Sequence, residues 1–263
     1  MRVLALDFDG VISDSAPESF AMALRTYAAF RSGTTLSRWA PAVGGGQAPS
    51  LARIRSVPAY PHFLELMPLG NRAEDYAVVL AAIDAGRRIP DQATYDAFRA
   101  EQDEGWLADF HRRFYLERHV LAEVDPAGWR ALMAPYPPII ELLRRRAPDT
   151  TLAIATSKDR RSVWALLRLY GIDDLFQEAG VLDKESGVSK QAHVRQLAQH
   201  FEVELAEVTF LDDKLNHLDT VSQLGTRCGL AAWGYNGERE IQQARKRGHL
   251  VCQLADVERQ LFG

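Results

Sequence analysis

Val3-Leu4-Ala5-Leu6-Asp7-Phe8-Asp9-Gly10-Val11, followed closely by Asp14-Ser15, decides how the rest of the chain is read. The apolar run Val3 to Leu6 has strand length and strand composition. Two carboxylates close it, and Gly10 permits an immediate turn. A strand that ends in close carboxylates leaves negative charge at a buried edge. Such charge needs a cation or a chemical task.

From Pro137 onward, strands and helices alternate. The expected helices are Ile139 to Arg146 (with Pro138 in the first turn), Asp159 to Tyr170, Gln191 to His200, Leu218 to Leu224 and Leu254 to Leu261. The expected strands are Leu152 to Ala155, Val208 to Leu211 and Leu230 to Trp233. This alternation predicts an α/β protein with a parallel sheet covered on both faces, and ligands at the carboxyl ends of the strands. Residues 16–134 read differently. Amphipathic stretches run over Glu18 to Phe30, Arg72 to Ala85 and Thr94 to Arg118, with an irregular region from Pro41 to Pro61. The segment is too long for a loop. The expected division is therefore a core of residues 1–15 and 135–263, interrupted by a helical insert, 16–134.

Asp7-Phe8-Asp9-Gly10-Val11 with Asp14-Ser15 resembles the first motif of the haloacid dehalogenase superfamily, most of whose members are phosphatases. The resemblance implies a Rossmann-like parallel sheet core with an inserted, mostly α-helical cap domain. It also implies that Asp7 is the nucleophile and Asp9 the general acid/base. Gly10 and Ser157 would contact the substrate. Asp14 and Ser15 would support the loop or the hinge into the insert.

Thr156 follows an apolar strand, where a hydroxyl can donate to a phosphoryl oxygen; capping of the next helix is the competing role. It resembles the family's second motif, with Ser157 as its rival. Asp212-Asp213 ends another strand, and adjacent buried carboxylates repel unless a cation neutralises them. The pair resembles the metal-binding motif. Oxygen ligands suit Mg²⁺, held by Asp7, the Asp9 backbone carbonyl and Asp213, with Asp212 assisting. The family often carries a further acidic residue four positions on, where this chain has Asn216 or His217. Lys190 sets a cation at a helix start, against the macrodipole, so an anion nearby is expected. It resembles the third motif, with Lys184 as the rival. In the insert, Arg72 opens a helix at Asn71-Arg72-Ala73-Glu74-Asp75-Tyr76 and could face an anionic substrate. His111, Arg112 and Arg113 share that ambiguity, and a solvated surface is the simpler reading for all of them. Trp233-Gly234-Tyr235 is expected to pack.

Composition narrows the classes. The chain has 263 residues, 47% hydrophobic and 25% charged, with a net charge of −4. No basic field invites nucleic acid, and no apolar segment approaches a membrane span. Cys228 and Cys252 cannot form a disulfide framework, so a reducing, cytoplasmic setting is expected. Only five of the 31 basic residues are lysine: Lys158, Lys184, Lys190, Lys214 and Lys246. Arginine is the default cation, so these positions are candidates for a compact point charge. Neither a zinc-spaced cluster nor a P-loop is present, and Gly44-Gly45-Gly46 follows no strand.

The resulting expectation is a Mg²⁺-dependent phosphatase acting on a small phosphorylated metabolite through an aspartyl-phosphate. A phosphomutase of the same superfamily and a non-catalytic phosphate-binding protein on this scaffold are the alternatives. Asp9 argues against a dehalogenase. The absence of lysine between residues 16 and 134 argues against a Schiff-base phosphonate hydrolase.

Overall fold

The N-terminal run forms β1 (Val3–Leu6), every residue of it buried. It is the centre of a six-stranded parallel sheet. The other strands are β2 (Thr151–Ala155), β3 (Val181–Leu182), β4 (Val208–Asp212), β5 (Arg227–Ala231) and β6 (Leu250–Cys252). Their spatial order is β3-β2-β1-β4-β5-β6, and every pairing is parallel. The computed structural model describes residues 1–70, 72–187 and 189–263. Asn71, which opens the stretch around Arg72, lies outside them.

Apolar side chains bury both faces of the central strands. Val3, Ala5, Ala153, Ala155, Val208 and Phe210 share one cluster with Val194, Leu197, Leu218 and Val221 of the helices. The alternate residues Leu4, Leu6, Leu152, Ile154 and Leu211 are at most 3% exposed. A strand buried on both faces reads as a continuous apolar run rather than an alternating one.

Register positions the chemistry. Leu6 is paired with Ile154 on one side and Leu211 on the other. The next residues along the three central strands are Asp7, Ala155-Thr156 and Asp212-Asp213. They emerge together at the carboxyl edge of the sheet, where the backbone N–H of Asp7 still donates to the Leu211 carbonyl at 2.9 Å.

The chain divides into two compact units, residues 1–14 with 135–263, and residues 15–134. The second unit is helical. Its longest helices are Ala16–Phe30, Ala73–Asp84 and Glu104–Val124. Glu18 is wholly buried there. Arg118 grips both of its carboxylate oxygens at 2.6 Å, and Trp129 Nε1 donates to one of them at 3.3 Å.

Several elements differ from the sequence reading. Thr94 to Arg118 is two helices, Gln92–Ala100 and Glu104–Val124. Apolar periodicity runs across the break, but Asp103 accepts the Trp106 N–H at 2.7 Å and starts a new helix. The region from Pro41 to Pro61 is not wholly irregular: it contains the Leu51–Arg55 helix and the start of Ala59–Leu66. The Leu215–Ser222 helix, β5 and the Val257–Phe262 helix are displaced by up to three residues from their expected limits. Periodicity marks neither β3 nor β6, which have two and three residues. It also misses the polar helix Glu238–Lys246 between β5 and β6.

Candidate active site

The turn after β1 is built by its own backbone. The Phe8 carbonyl accepts the N–H groups of Ile12 and Ser13 at 2.9 and 3.0 Å, and Gly10 N–H donates to the Ser13 carbonyl at 2.8 Å. Gly10 has φ +82°, which favours glycine. Its missing side chain matters as much: a Cβ there would lie 2.5 Å from Asp213 Oδ2 and 2.7 Å from Asp213 Cγ. Gly234 closes the other side, since its Cβ would fall 2.4 Å from both Asp213 Cβ and the Gly10 carbonyl oxygen. Two glycines therefore let the loops close directly on one carboxylate. Trp233 Nε1 donates to the Val11 carbonyl at 3.2 Å, so the expectation that Trp233 packs agrees with its position. Tyr235 OH contacts Asp14 Oδ1 at 3.4 Å. Ser15 is buried and precedes the Ala16–Phe30 helix, without a side-chain capping bond.

Lys190 is the first residue of the Lys190–His200 helix rather than the residue before it. Its ammonium donates to Asp7 Oδ1 at 2.7 Å and to the Ala155 carbonyl at 2.6 Å, and lies 3.4 Å from Asp212 Oδ2. The anion that its position at a helix start calls for is the Asp7–Asp212 pair. Lys184 is exposed in the loop after β3.

Asp7, Asp212 and Asp213 each present an oxygen, all within 4.8 Å of one another. Their environments differ. Asp212 is engaged at both oxygens: Oδ1 accepts the Lys214 N–H at 2.8 Å, and Oδ2 faces His217 Nδ1 at 2.9 Å as well as Lys190. Burial would raise its pKa, but His217 and Lys190 outweigh burial and hold it below the usual carboxylate range. Asp213 is pushed well up, first by burial and then by the charges of Asp212 and Asp7. Its Oδ2 accepts the Tyr235 N–H at 2.8 Å, while its buried Oδ1 has no partner among the described residues. Asp7 is likewise raised by burial, against the pull of Lys190. Lys190 is raised, because the two carboxylates overcome the burial that would lower it. Three buried carboxylates crowd one edge, with an oxygen left over. Hard oxygen donors in that arrangement fit a divalent cation such as Mg²⁺.

Thr156 is buried at the end of β2, and its Oγ1 accepts the Lys158 N–H at 3.1 Å. Ser157 is exposed. Asp9 keeps 32% of its side chain exposed and is paired with Lys158, whose Nζ stands 3.0 and 3.3 Å from its two oxygens. No motif in the sequence gives Lys158 a role, and the scarcity of lysine is the one signal that marks it.

Arg72 lies in the second unit. Its side chain is 69% exposed and 3.9 Å from Glu74, and its backbone N–H donates to Asp75 Oδ2 at the helix start. His111 is paired with Glu74, Arg112 with Asp109 and Arg113 with Glu117.

The sequence model of the haloacid dehalogenase-like hydrolases matches residues 1–225. The chain belongs to that family. Solved structures share the hydrolase fold over nearly the whole length. One is a predicted phosphoglycolate phosphatase from Haemophilus somnus 129pt, with 20% identity, TM-score 0.64, and coverage of 98% of this chain and 97% of the other. A second is the haloacid dehalogenase-like protein SP0104 from Streptococcus pneumoniae, with 12% identity, TM-score 0.61, and coverage of 99% and 98%. A third is a predicted phosphatase from Clostridium acetobutylicum, with 12% identity, TM-score 0.58, and coverage of 99% and 97%. No curated protein matches the chain. Among the described residues of this hydrolase, no helix is long and apolar enough to cross a membrane.

Proposed function

We propose that this hydrolase cleaves a small phosphate monoester through an aspartyl-phosphate on Asp7. The observation that carries the reading is the Asp7–Lys190 pair at the edge of the central strands, beside the unpartnered buried oxygen of Asp213. An ammonium on one Asp7 oxygen orients the carboxylate and leaves its other oxygen for attack. As the bond from Asp7 to phosphorus forms, the bond to the leaving oxygen breaks, and Asp9 gives that oxygen its proton. Asp9 then takes a proton from water as the water oxygen bonds to phosphorus and the Asp7–phosphorus bond breaks.

Lys190 and the Thr156 hydroxyl balance charge on the transferring phosphoryl group, and Gly10 keeps the backbone of the turn close to it. Asp7, Asp213 and the Asp9 backbone carbonyl would hold Mg²⁺, with Asp212 behind them, already bonded to His217 and Lys214. Bound there, the ion would neutralise phosphoryl charge. The family membership and the phosphatases among its structural neighbours support this chemistry. The cytoplasm is the proposed setting.

The test is turnover of p-nitrophenyl phosphate and a panel of small phosphate monoesters, with Mg²⁺ and with EDTA. Activity should require Mg²⁺ and vanish in Asp7→Asn. Turnover that survives either change would refute the reading.

A further inference from the structure

We infer that Lys158 is a positioning residue that fixes the Asp9 carboxylate for its two proton transfers. The inference rests on the aspartyl-phosphate reading. The chain turns sharply after β2. The Lys158 N–H donates to Thr156 Oγ1 at 3.1 Å, and the side chain is directed toward the loop that follows β1. Its Nζ reaches Asp9 Oδ1 at 3.0 Å and Oδ2 at 3.3 Å. The Lys158 side chain is 1% exposed, whereas that of Asp9 is 32% exposed. The ammonium is therefore the buried partner of the pair, and about a third of the Asp9 side chain stays exposed.

A buried ammonium is costly unless it is paired. In a chain that uses arginine almost everywhere, a buried lysine at this point is a site requirement rather than a surface habit. A single point charge close to both oxygens of Asp9 restrains the rotation of its carboxylate. General acid/base catalysis depends first on such placement. Lys190 has a different task, since it faces Asp7 and Asp212. The two lysines divide the site, one for each catalytic carboxylate.

The test compares kcat/KM for p-nitrophenyl phosphate with that for an alkyl phosphate such as glycerol phosphate, in wild type, Lys158→Met, Asp9→Asn and the double variant. A p-nitrophenolate departs without a proton, whereas an alkoxide needs one. Lys158→Met should lower kcat/KM for the alkyl ester by about 10²-fold and for the nitrophenyl ester by less than about tenfold. Asp9→Asn should show the same bias. Adding Lys158→Met to Asp9→Asn should change little, because the two residues act as one unit.

Equal losses for both esters would make Lys158 a phosphate-binding group and overturn the inference. So would wild-type rates, or a further independent loss in the Asp9→Asn background. A crystal structure of Lys158→Met gives a readout that does not depend on activity. The Asp9 carboxylate should leave its present position, and an unmoved Asp9 would overturn the inference even if rates fell. If wild type turns over neither ester, or Asp9→Asn keeps full alkyl-ester activity, the aspartyl-phosphate reading itself fails. An intact Asp9 bias with a silent Lys158→Met removes this inference alone.

Discussion

Gly10→Ala puts the close approach of the first loop to Asp213 under test. Two costs arise, and the structure separates them. Gly10 has φ +82°, and an L side chain in that left-handed region costs roughly 1–2 kcal/mol. The new Cβ would also lie 2.5 Å from Asp213 Oδ2 and 2.7 Å from its Cγ. Ordinary carbon contacts are about 3.5 Å, so carboxylate and loop must part by ~1 Å. Asp213 has little room to yield, because Gly234 abuts its Cβ and Tyr235 N–H holds its Oδ2.

A shift of that size at a reacting centre costs about 10²-fold in rate. Gly225 supplies the control: its φ is +79°, yet nothing lies within 4 Å of the Cβ it would gain. Gly225→Ala should thus lose about 1 kcal/mol, or a few degrees in Tm, with unchanged kcat. Gly10→Ala should lose as much or more in Tm, and about 10²-fold in kcat/KM as well. Melting by circular dichroism and the phosphatase assay read both. If Gly10→Ala keeps wild-type kcat/KM, or if Gly225→Ala loses as much activity, the argument from close approach is wrong.

Three further outcomes are expected. Arg118→Met leaves a fully buried Glu18 with, among the described residues, only the Trp129 N–H, and should cost about 3–5 kcal/mol in chemical denaturation; Glu18→Gln alongside it should recover part of that loss. Lys190→Met should reduce kcat by about 10²–10³-fold, since it removes the cation shared by Asp7 and Asp212. Mg²⁺ at about 100 times its Kd should stabilise the native protein by about 2.7 kcal/mol, seen as a higher Tm, and Asp213→Ala should abolish that rise.

The fold was legible where chemistry and periodicity coincide. β1 announces itself by an apolar run that stops at Asp7, and the Val208–Asp212 strand by a run that stops at paired aspartates. β3 and β6 escape because two or three residues cannot display a period. The break near Asp103 escapes because the apolar period of the flanking helices runs through it, and only the side-chain cap interrupts it.

At the site, residues that follow a strand could be placed by counting along it. Those whose roles depend on loops meeting in space could not. Lys158 lies 149 positions from Asp9, and no local pattern joins them. Gly234 and the Tyr235 N–H act on Asp213 only because two loops converge there. His217 stands out in the sequence as a departure from the family's acidic pattern, but its contact with Asp212 exists only in three dimensions.

The central claim is that Asp7 accepts the phosphoryl group. The most direct measurement is rapid acid quench of the enzyme during turnover of p-nitrophenyl phosphate with Mg²⁺, followed by peptide mass mapping. The account predicts a phosphorylated N-terminal peptide with the modification on Asp7, formed on the timescale of turnover and missing from Asp7→Asn. Turnover with no phosphorylated peptide, or with the label on another residue, would contradict it.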